Sequence, residues 1–302
     1  MLKFHSLKHF AITISLLTVI FPSVVHSQNT IAKCVEDDYD KQIAEANRGI
    51  KFSFYNIEAY LRRGYAYLRK FDYDNALKDF NRVIEINPRS EKAYFYRGIL
   101  FADRANYEQS IKDLTTAIEL NTENAETYYW RGRSYSYKNE DVLAIEDFDK
   151  SIGLDNKFSY SYYGRGAQYQ KLGKKLEATK DFNKAIEMVG REIELNSDGC
   201  SYYYHVKRGV IYFTLNNSRQ AMIDFSRSIE ISQNYPSFYY RGQLCFYNKN
   251  YKAAVADFTK AIEVNSQFAE SYNERALAYE KLNEKEKAEI DRLKYLELSR
   301  KN

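Results

Sequence analysis

The chain has 302 residues, of which 44% are hydrophobic and 28% are charged; this balance excludes a disordered protein and a bundle of membrane-spanning helices. A formal net charge of +4, with no block of five like charges, also excludes a dedicated nucleic-acid-binding protein, which needs a clustered basic excess. The 3 prolines and 12 glycines favour long helices with few breaks, and the 29 tyrosines are unusual enough to need an explanation.

Residues 1–27 are predicted to be a secretory signal peptide. Lys3 and Lys8 give it a basic start, a largely apolar run from Phe10 to Phe21 follows, and small residues precede a cleavage position after Ser27. The apolar run is shorter than the roughly 20 residues that a bilayer crossing needs. We therefore expect a soluble protein exported to the periplasm or the extracellular space. The alternative is that the segment stays in place as an N-terminal membrane anchor.

Residues 28–56 are predicted to be an N-terminal segment that holds half of a repeating unit. Tyr39-Asp40 aligns with Tyr73-Asp74, and Asn47-Arg48 aligns with Asn81-Arg82, in both cases at a spacing of 34 residues. The alignment predicts one helix over residues 36–51. This helix would cap the array, because the open end of a repeat protein otherwise exposes core.

From Ile57 onward the chain repeats itself every 34 residues, which is typical of a solenoid with one supersecondary unit per repeat. We predict seven repeats, at residues 57–90, 91–124, 125–158, 159–192, 202–234, 235–268 and 269–302. The last repeat ends in a charge-rich, solvated capping helix. Repeats four and five start 43 residues apart, so residues 193–201 are predicted to be an inserted surface loop. A partner contact and a hinge are the alternative interpretations of this insertion.

Each repeat carries the pattern of two helices joined by a turn. We count positions from the first residue of each repeat; position 8 is Gly64, position 20 is Ala76 and position 24 is Phe80 in the first. Positions 4, 8 and 11 share one face of the first helix, and positions 20, 24 and 27 share one face of the second. The small residues on these faces predict that the two helices cross closely.

The pattern resembles the tetratricopeptide repeat family. The family's spacing is matched in the first repeat by Tyr60, Gly64, Tyr67, Ala76, Phe80 and Pro88, and Arg63 stands where the pattern has Leu. The resemblance covers residues 57–302. It implies an all-α fold, a right-handed α-solenoid of stacked helix-turn-helix repeats, with a concave groove lined by the first helices.

Two oppositely charged positions recur in all seven repeats, and we call them the charge ladder. Position 7 is always Arg and position 23 is always Asp: Arg63 and Asp79, Arg97 and Asp113, Arg131 and Asp147, Arg165 and Asp181, Arg208 and Asp224, Arg241 and Asp257, and Arg275 and Asp291. Both positions adjoin small residues of the helix crossing. We therefore predict bidentate Arg–Asp pairs, within a repeat or between neighbours. The alternative is a row of arginines that binds an anionic ligand.

The resemblance implies that positions 2, 5, 6, 9 and 13 face the groove. The candidate binding residues at these positions are Phe95, Tyr96, Tyr129, Trp130, Arg133, Tyr137, Tyr163, Lys207, Tyr239, Tyr240 and Tyr247. Tyr, Trp and Arg dominate the energetics of protein interfaces. The alternative is that many of these rings are core. Some relatives bind acidic chaperone tails through a clamp of lysines and asparagines, but Leu61, Tyr65 and Tyr96 replace that clamp here.

Catalytic and cofactor-binding motifs are absent from the sequence. After the predicted signal the one histidine is His205, at a position where other repeats have Tyr or Phe, so we interpret it as a packed substitute. The three cysteines, Cys34, Cys200 and Cys245, fit neither a zinc site nor a disulfide framework. We expect no cofactor, metal or nucleic acid, and we predict a non-catalytic scaffold for a protein or peptide partner. The alternatives are a carbohydrate- or cell-wall-binding module and a membrane-tethered assembly subunit.

Overall fold

The computed structural model describes residues 39–196 and 201–299, which form fifteen α-helices and no strand. The predicted signal peptide, Cys34 and Cys200 lie outside these residues. The helices are α1 Tyr39–Phe52, α2 Ile57–Arg69, α3 Tyr73–Ile86, α4 Glu91–Asp103, α5 Tyr107–Leu120, α6 Ala125–Tyr137, α7 Asp141–Leu154, α8 Ser159–Lys171, α9 Lys175–Leu195, α10 Ser201–Thr214, α11 Ser218–Ile231, α12 Tyr235–Tyr247, α13 Tyr251–Val264, α14 Ala269–Lys281 and α15 Lys285–Ser299.

The described residues divide into two compact units, residues 39–184 and residues 185–196 with 201–299, and the boundary falls inside α9. In the first unit each helix from α1 to α8 packs against the next, and the first helices α2, α4, α6 and α8 also contact one another in sequence. In the second unit α10 to α15 pack in the same consecutive order, with α10, α12 and α14 in contact. The fold is therefore all-α, a solenoid of stacked helix-turn-helix repeats, as predicted.

Close helix crossings explain the glycine at position 8. A Cβ added to Gly64 would lie 2.7 Å from the ring of Phe80, and one added to Gly242 would lie 2.7 Å from the ring of Phe258. Real Cβ atoms do not approach a neighbour so closely, so each glycine is required by the large residue at position 24. The last repeat has Ala276 at position 8, and there position 24 is Arg292 rather than an aromatic residue.

The turn between the two helices of each repeat has one backbone geometry throughout. Position 15 has a positive φ of 56° to 75° in all seven repeats: Phe71, Ala105, Asn139, Gly173, Asn216, Lys249 and Asn283. This left-handed conformation ends the first helix, and it is comfortable only for glycine and tolerable for asparagine. In repeats one, two, five and six the second helix then starts on a side-chain cap; the carboxylate of Asp72, for example, accepts a hydrogen bond from the backbone N–H of Asn75.

The prediction of an inserted loop at residues 193–201 is wrong for residues 193–195 and for Ser201, which are helical. α9 continues through residues 193–195 and is 21 residues long, whereas the other second helices of the seven repeats have 14 or 15. Two contacts stabilise the added residues as helix rather than loop. Val189 is fully buried, and Arg191 forms an ion pair at 2.7 Å with Glu187 one helical turn before it. α10 then begins at Ser201, and residues 197–200 lie outside the described part.

The described helices otherwise follow the predicted repeats. First helices begin at Ile57, Glu91, Ala125, Ser159, Tyr235 and Ala269, the residues from which those repeats were counted. The capping helix α1 covers Tyr39–Phe52 rather than residues 36–51. The final helix α15 was predicted to be charge-rich and solvated, but it also exposes the apolar side chains of Ile290, Leu293 and Leu296. Within residues 39–196 and 201–299 no helix combines the length and apolar composition that a bilayer crossing requires.

Candidate binding face of the first helices

The charge ladder is present in every repeat. The Nε of each position-7 Arg donates to one carboxylate oxygen of its Asp and Nη2 donates to the other, at 2.6–2.9 Å. All seven pairs lie within one repeat, 16 residues apart. The carboxylates are buried and the guanidinium groups are half-buried, so each ladder arginine is engaged by its own carboxylate rather than presented to an anionic ligand.

A third donor of the ladder arginine joins neighbouring repeats. Nη1 of Arg97 donates to Asn81 at 2.7 Å, in the second helix of the preceding repeat. Arg275 makes the same contact with Thr259 at 3.0 Å in the second unit. The acceptor is at position 25 of the preceding repeat in both cases. The arginine therefore ties together the two helices of its own repeat and the repeat before it.

Part of the tyrosine excess serves this ladder, because eight tyrosines of the described residues lie against a ladder arginine. Arg131 lies between the rings of Tyr128 and Tyr135, with its guanidinium carbon 5.7 and 5.9 Å from their centroids. Arg165 and Arg275 are flanked in the same way at positions 4 and 11. Cation–π contacts of this kind contribute roughly 0.5–1 kcal/mol each at partly exposed sites. Sequence reasoning missed the arrangement, although a tyrosine three residues before and four after the arginine recurs in the sequence.

Repeat five replaces one of these rings with His205. Its Nδ1 lies 2.9 Å from Oδ1 of Asp224, which also pairs with Arg208. Burial alone would raise the pKa of Asp224, but the hydrogen bonds from Arg208 and His205 lower it below its usual value. In repeat three, where Asp147 pairs with Arg131 alone, burial prevails and the carboxyl pKa is raised. His205 is therefore packed into the ladder and is not positioned as a catalytic base.

Six of the predicted groove residues are buried, and their assignment as exposed groove residues is wrong. They are Phe95, Tyr129, Trp130, Lys207, Tyr239 and Tyr240. The reason is that aromatic residues of the second helix and of the turn that follows it cover the first helix. Tyr129 packs edge-on against Phe158 with ring centroids 5.4 Å apart, and Tyr239 packs edge-on against Phe268 at 5.1 Å. These rings are core of the solenoid.

Five predicted groove residues keep accessible surface: Tyr96, Arg133, Tyr137, Tyr163 and Tyr247. The densest group lies on α6. The guanidinium of Arg133 lies 4.6 Å from the centroid of Trp130 and 5.8 Å from that of Tyr137. The ring of Tyr137 in turn stacks parallel to Tyr107, with centroids 4.6 Å apart and planes 5° apart. This arrangement holds a cation and two aromatic rings in fixed positions at the surface.

Lys207 shows what the extension of α9 does. Its ammonium lies 3.2 Å from the carboxylate of Glu192, in the last two turns of α9. Burial lowers the pKa of Lys207 and the Glu192 charge opposes that shift. A buried ammonium needs such a counter-charge. The longer helix therefore supplies the partner that the buried lysine requires, inside the second unit.

Two carboxylates that sequence reasoning passed over lie on the same side of the first helices as the predicted groove residues. Burial, with help from Asp155 and Glu91, raises the pKa of Glu126 at position 2 of α6 to about 8. Burial alone raises the pKa of Glu274 at position 6 of α14 to about 7. Nothing in the repeat pattern singles out these residues, because carboxylates are common on helix surfaces and their burial depends on the neighbouring repeat.

Comparison with known proteins assigns the chain to a family. Two family models described as tetratricopeptide repeat match it, one at residues 57–90 and 236–268 and the other at 125–158, 202–235 and 269–302. The chain belongs to the tetratricopeptide repeat family. These matches fall on repeats one, six, three, five and seven. No curated protein sequence matches the chain significantly.

Solved tetratricopeptide repeat structures share the fold. A tetratricopeptide repeat protein from Parabacteroides merdae ATCC 43184 is 19% identical over 80% of this chain and 98% of its own, with a TM-score of 0.59. A chain of the APC/C hetero-tetramer Cut9-Hcn1 is 16% identical over 80% of this chain and 46% of its own, with a TM-score of 0.61. MamA is 28% identical over 52% of this chain and 92% of its own, at a TM-score of 0.47. Tetratricopeptide repeats are protein-interaction scaffolds.

The described tetratricopeptide repeats contain no group of three or more His, Cys, Asp or Glu side chains that could hold a metal ion. Cys245 is a free, buried thiol, and burial raises its pKa, which makes it less reactive. The chemistry of the first-helix face is that of aromatic rings, one accessible arginine, the half-buried carboxylate of Glu126 and the buried carboxylate of Glu274.

Proposed function

We propose that this chain is an exported protein-interaction scaffold that binds a peptide segment of its partner along the first helices of its repeats. The tetratricopeptide repeat fold supports the scaffold role. The observation that carries the choice of surface is the accessible cluster of Arg133, Tyr137 and Tyr107 on the first unit. Rings and guanidinium groups held in place by stacking lose little side-chain entropy when a partner binds.

A crosslinking pull-down from the native compartment tests this surface. The full wild-type chain is compared with a Tyr137→Ala, Arg133→Gln variant, and Tyr169→Ala serves as the matched control because Tyr169 flanks the ladder arginine Arg165. A partner captured by the wild type and the control, but lost by the folded double variant, supports the proposal. Equal capture by all three chains would move the binding surface elsewhere.

The carbohydrate-binding alternative depends on exposed aromatic planes. Burial of Tyr129, Trp130, Tyr239 and Tyr240 leaves it without most of them. Salt dependence separates the two classes of ligand. A peptide partner that contacts Arg133 should bind more weakly at high ionic strength, because salt screens accessible charges, whereas a glycan stacked on Tyr247 should not.

Export is tested at the N-terminus. Cleavage after Ser27 would leave Gln28 as the first residue of the native protein, which N-terminal sequencing reads directly. A native protein that keeps residues 1–27 and sediments with membranes would favour the membrane-tethered alternative.

A further inference from the structure

Glu274 is an exception among the buried charges of this protein. Its side chain is on α14 at position 6, and the residue is only 8% exposed. The other buried charged residues in the described part of the chain are the seven ladder aspartates and Lys207, and each of these has an ion-pair partner. Within residues 39–196 and 201–299, neither a hydrogen bond nor an ion pair reaches the Glu274 carboxylate.

Solvent still reaches this carboxylate. Its oxygens are not among the fully enclosed polar atoms of the described residues, so part of the small exposed fraction lies on them. Position 6 also holds Tyr240 in the preceding repeat, beside Tyr239 on α12. Glu274 is therefore a nearly buried carboxylate on the first helices that keeps a small contact with solvent.

The surroundings of Glu274 favour a cation. Tyr239 is its neighbour on α12, and burial, together with the charges of Glu274 and Glu270, raises the pKa of that phenol well above its usual value. The Tyr239 hydroxyl accepts a hydrogen bond from Nε2 of Gln243 at 3.1 Å. The rings of Tyr239 and Tyr240 meet edge to face at 5.5 Å. Carboxylates bind ammonium and guanidinium ions through charge-assisted hydrogen bonds, and the buried phenol rings of Tyr239 and Tyr240 supply no positive charge to this one.

We propose that Glu274 receives a basic side chain of the bound partner, the ammonium of a lysine or the guanidinium of an arginine. The inference rests on the proposed function, because it assumes that a peptide segment lies along the first helices of repeats six and seven. A buried carboxylate without a counter-charge is costly. The partner's cation supplies that counter-charge, and the proposal therefore names a basic segment as the ligand class.

The test uses peptides selected on the full wild-type chain from a displayed random library. In each selected peptide every Lys or Arg is replaced in turn by norleucine, and dissociation constants are measured for the wild type and for Glu274→Gln. Glu274→Met guards against a folding defect in the first variant. Glu263→Gln is the matched control, because Glu263 is exposed and pairs with Lys260 on the outer helix α13.

We expect one basic peptide residue whose replacement by norleucine weakens binding at least about tenfold to the wild type and to Glu263→Gln, which both keep Glu274. The same replacement should weaken binding to Glu274→Gln only slightly. Peptides that need no basic residue, or an equal loss in chains with and without Glu274, would overturn the inference and leave the scaffold proposal standing. A library that yields no ligand also overturns it, while the crosslinking pull-down still decides the scaffold function. Tighter peptide binding by an Arg300→Gln, Lys301→Gln variant would assign Glu274 to the chain's own terminus instead.

Discussion

At the scale of single residues, the ladder carboxylates are the most consequential charges in the protein. Asp147 is buried and receives two hydrogen bonds from Arg131, which also lies between two tyrosine rings. Removing one member of such a pair leaves the other charge without its partner in a poorly hydrated place. The ladder is therefore expected to be a condition for folding, even though each pair adds little compared with an apolar contact of the same volume.

We expect Asp147→Ala to lower the free energy of unfolding by about 3 kcal/mol. The exposed carboxylate of Glu263 pairs with Lys260, and Glu263→Ala should cost under about 1 kcal/mol. Urea denaturation of both variants measures the difference. An Asp147→Ala variant as stable as the wild type would mean that Arg131 loses no stabilising interaction when its carboxylate is removed.

Replacing a non-glycine residue at position 15 by glycine should raise the stability of the fold, because the backbone there is left-handed. Ala105 has a φ of 56°, whereas the equivalent Gly173 pays no steric penalty at 75°. We expect Ala105→Gly to stabilise the protein by about 1 kcal/mol and Gly173→Ala to destabilise it by a similar amount. Thermal unfolding measures both shifts, and the argument fails if the two substitutions move the melting temperature in the same direction.

Glu274 makes stability depend on pH. Its folded pKa of about 7 lies above the ordinary glutamate value of 4.5, so the folded chain holds a proton that the unfolded chain has released. The sign is then fixed: stability is highest below about pH 4.5 for this group and falls by roughly 3 kcal/mol as pH rises to about 7. The pKa of the neighbouring Tyr239 lies well above this range, so its phenol stays neutral throughout.

We expect the difference in unfolding free energy between Glu274→Gln and the wild type to grow from pH 5 to pH 8, in favour of the variant. Glu263→Gln, which removes an exposed carboxylate, should show no such trend. Chemical denaturation at a series of pH values gives the difference directly. A flat difference would show that the Glu274 pKa is not raised.

At the scale of elements, α9 and α10 form the one junction that departs from the repeat. We expect Glu192→Gln to destabilise the protein by about 3 kcal/mol, because Lys207 is then buried without the carboxylate that lies 3.2 Å from its ammonium. Lys207→Met should restore stability in the Glu192→Gln background. A double-mutant cycle from urea denaturation checks the coupling, and independent effects of the two substitutions would contradict it.

Helix starts, crossing glycines and ladder pairs could be predicted because they repeat. Gly64 and Phe80 lie 16 residues apart, as do Arg63 and Asp79, and seven copies of a spacing average out local variation. The length of α9 could not be predicted in the same way, because the nine added residues occur once. A single segment that contains Gly190 and a Ser-Asp-Gly cluster has loop and helix signals of similar strength.

The binding face was predicted less well than the fold, and the tyrosines show why. A ring at position 5 is on the groove side by helical spacing, but Tyr129 and Tyr239 are covered by Phe158 and Phe268 from the following turn. Helical periodicity assigns a side to each residue and says nothing about what covers that side. Only Tyr96, Arg133, Tyr137, Tyr163 and Tyr247 remain accessible among the predicted groove residues.

At the scale of the whole molecule, the repeats serve recognition in two different ways. The Arg–Asp pairs of the ladder are the same from repeat to repeat and, with the rings that flank most of them, hold consecutive helices together. Arg133 in the first unit and Glu274 in the second are each the only residue of their type at their repeat position, and Tyr137 has one counterpart, Tyr247. The residues that the repeats share thus hold the solenoid together, and the residues that differ between repeats are the ones we propose for partner binding.

The position of Trp130 gives the protein a built-in optical probe. It is the only tryptophan of the chain, it is 1% exposed, and it belongs to the unit of residues 39–184. Its fluorescence emission therefore shifts to longer wavelength only when that unit opens to water, while circular dichroism records the loss of helix in both units. Denaturation followed by both signals reads the two halves of the chain separately: displaced curves would mean that they melt independently, and superimposed curves that they melt as one.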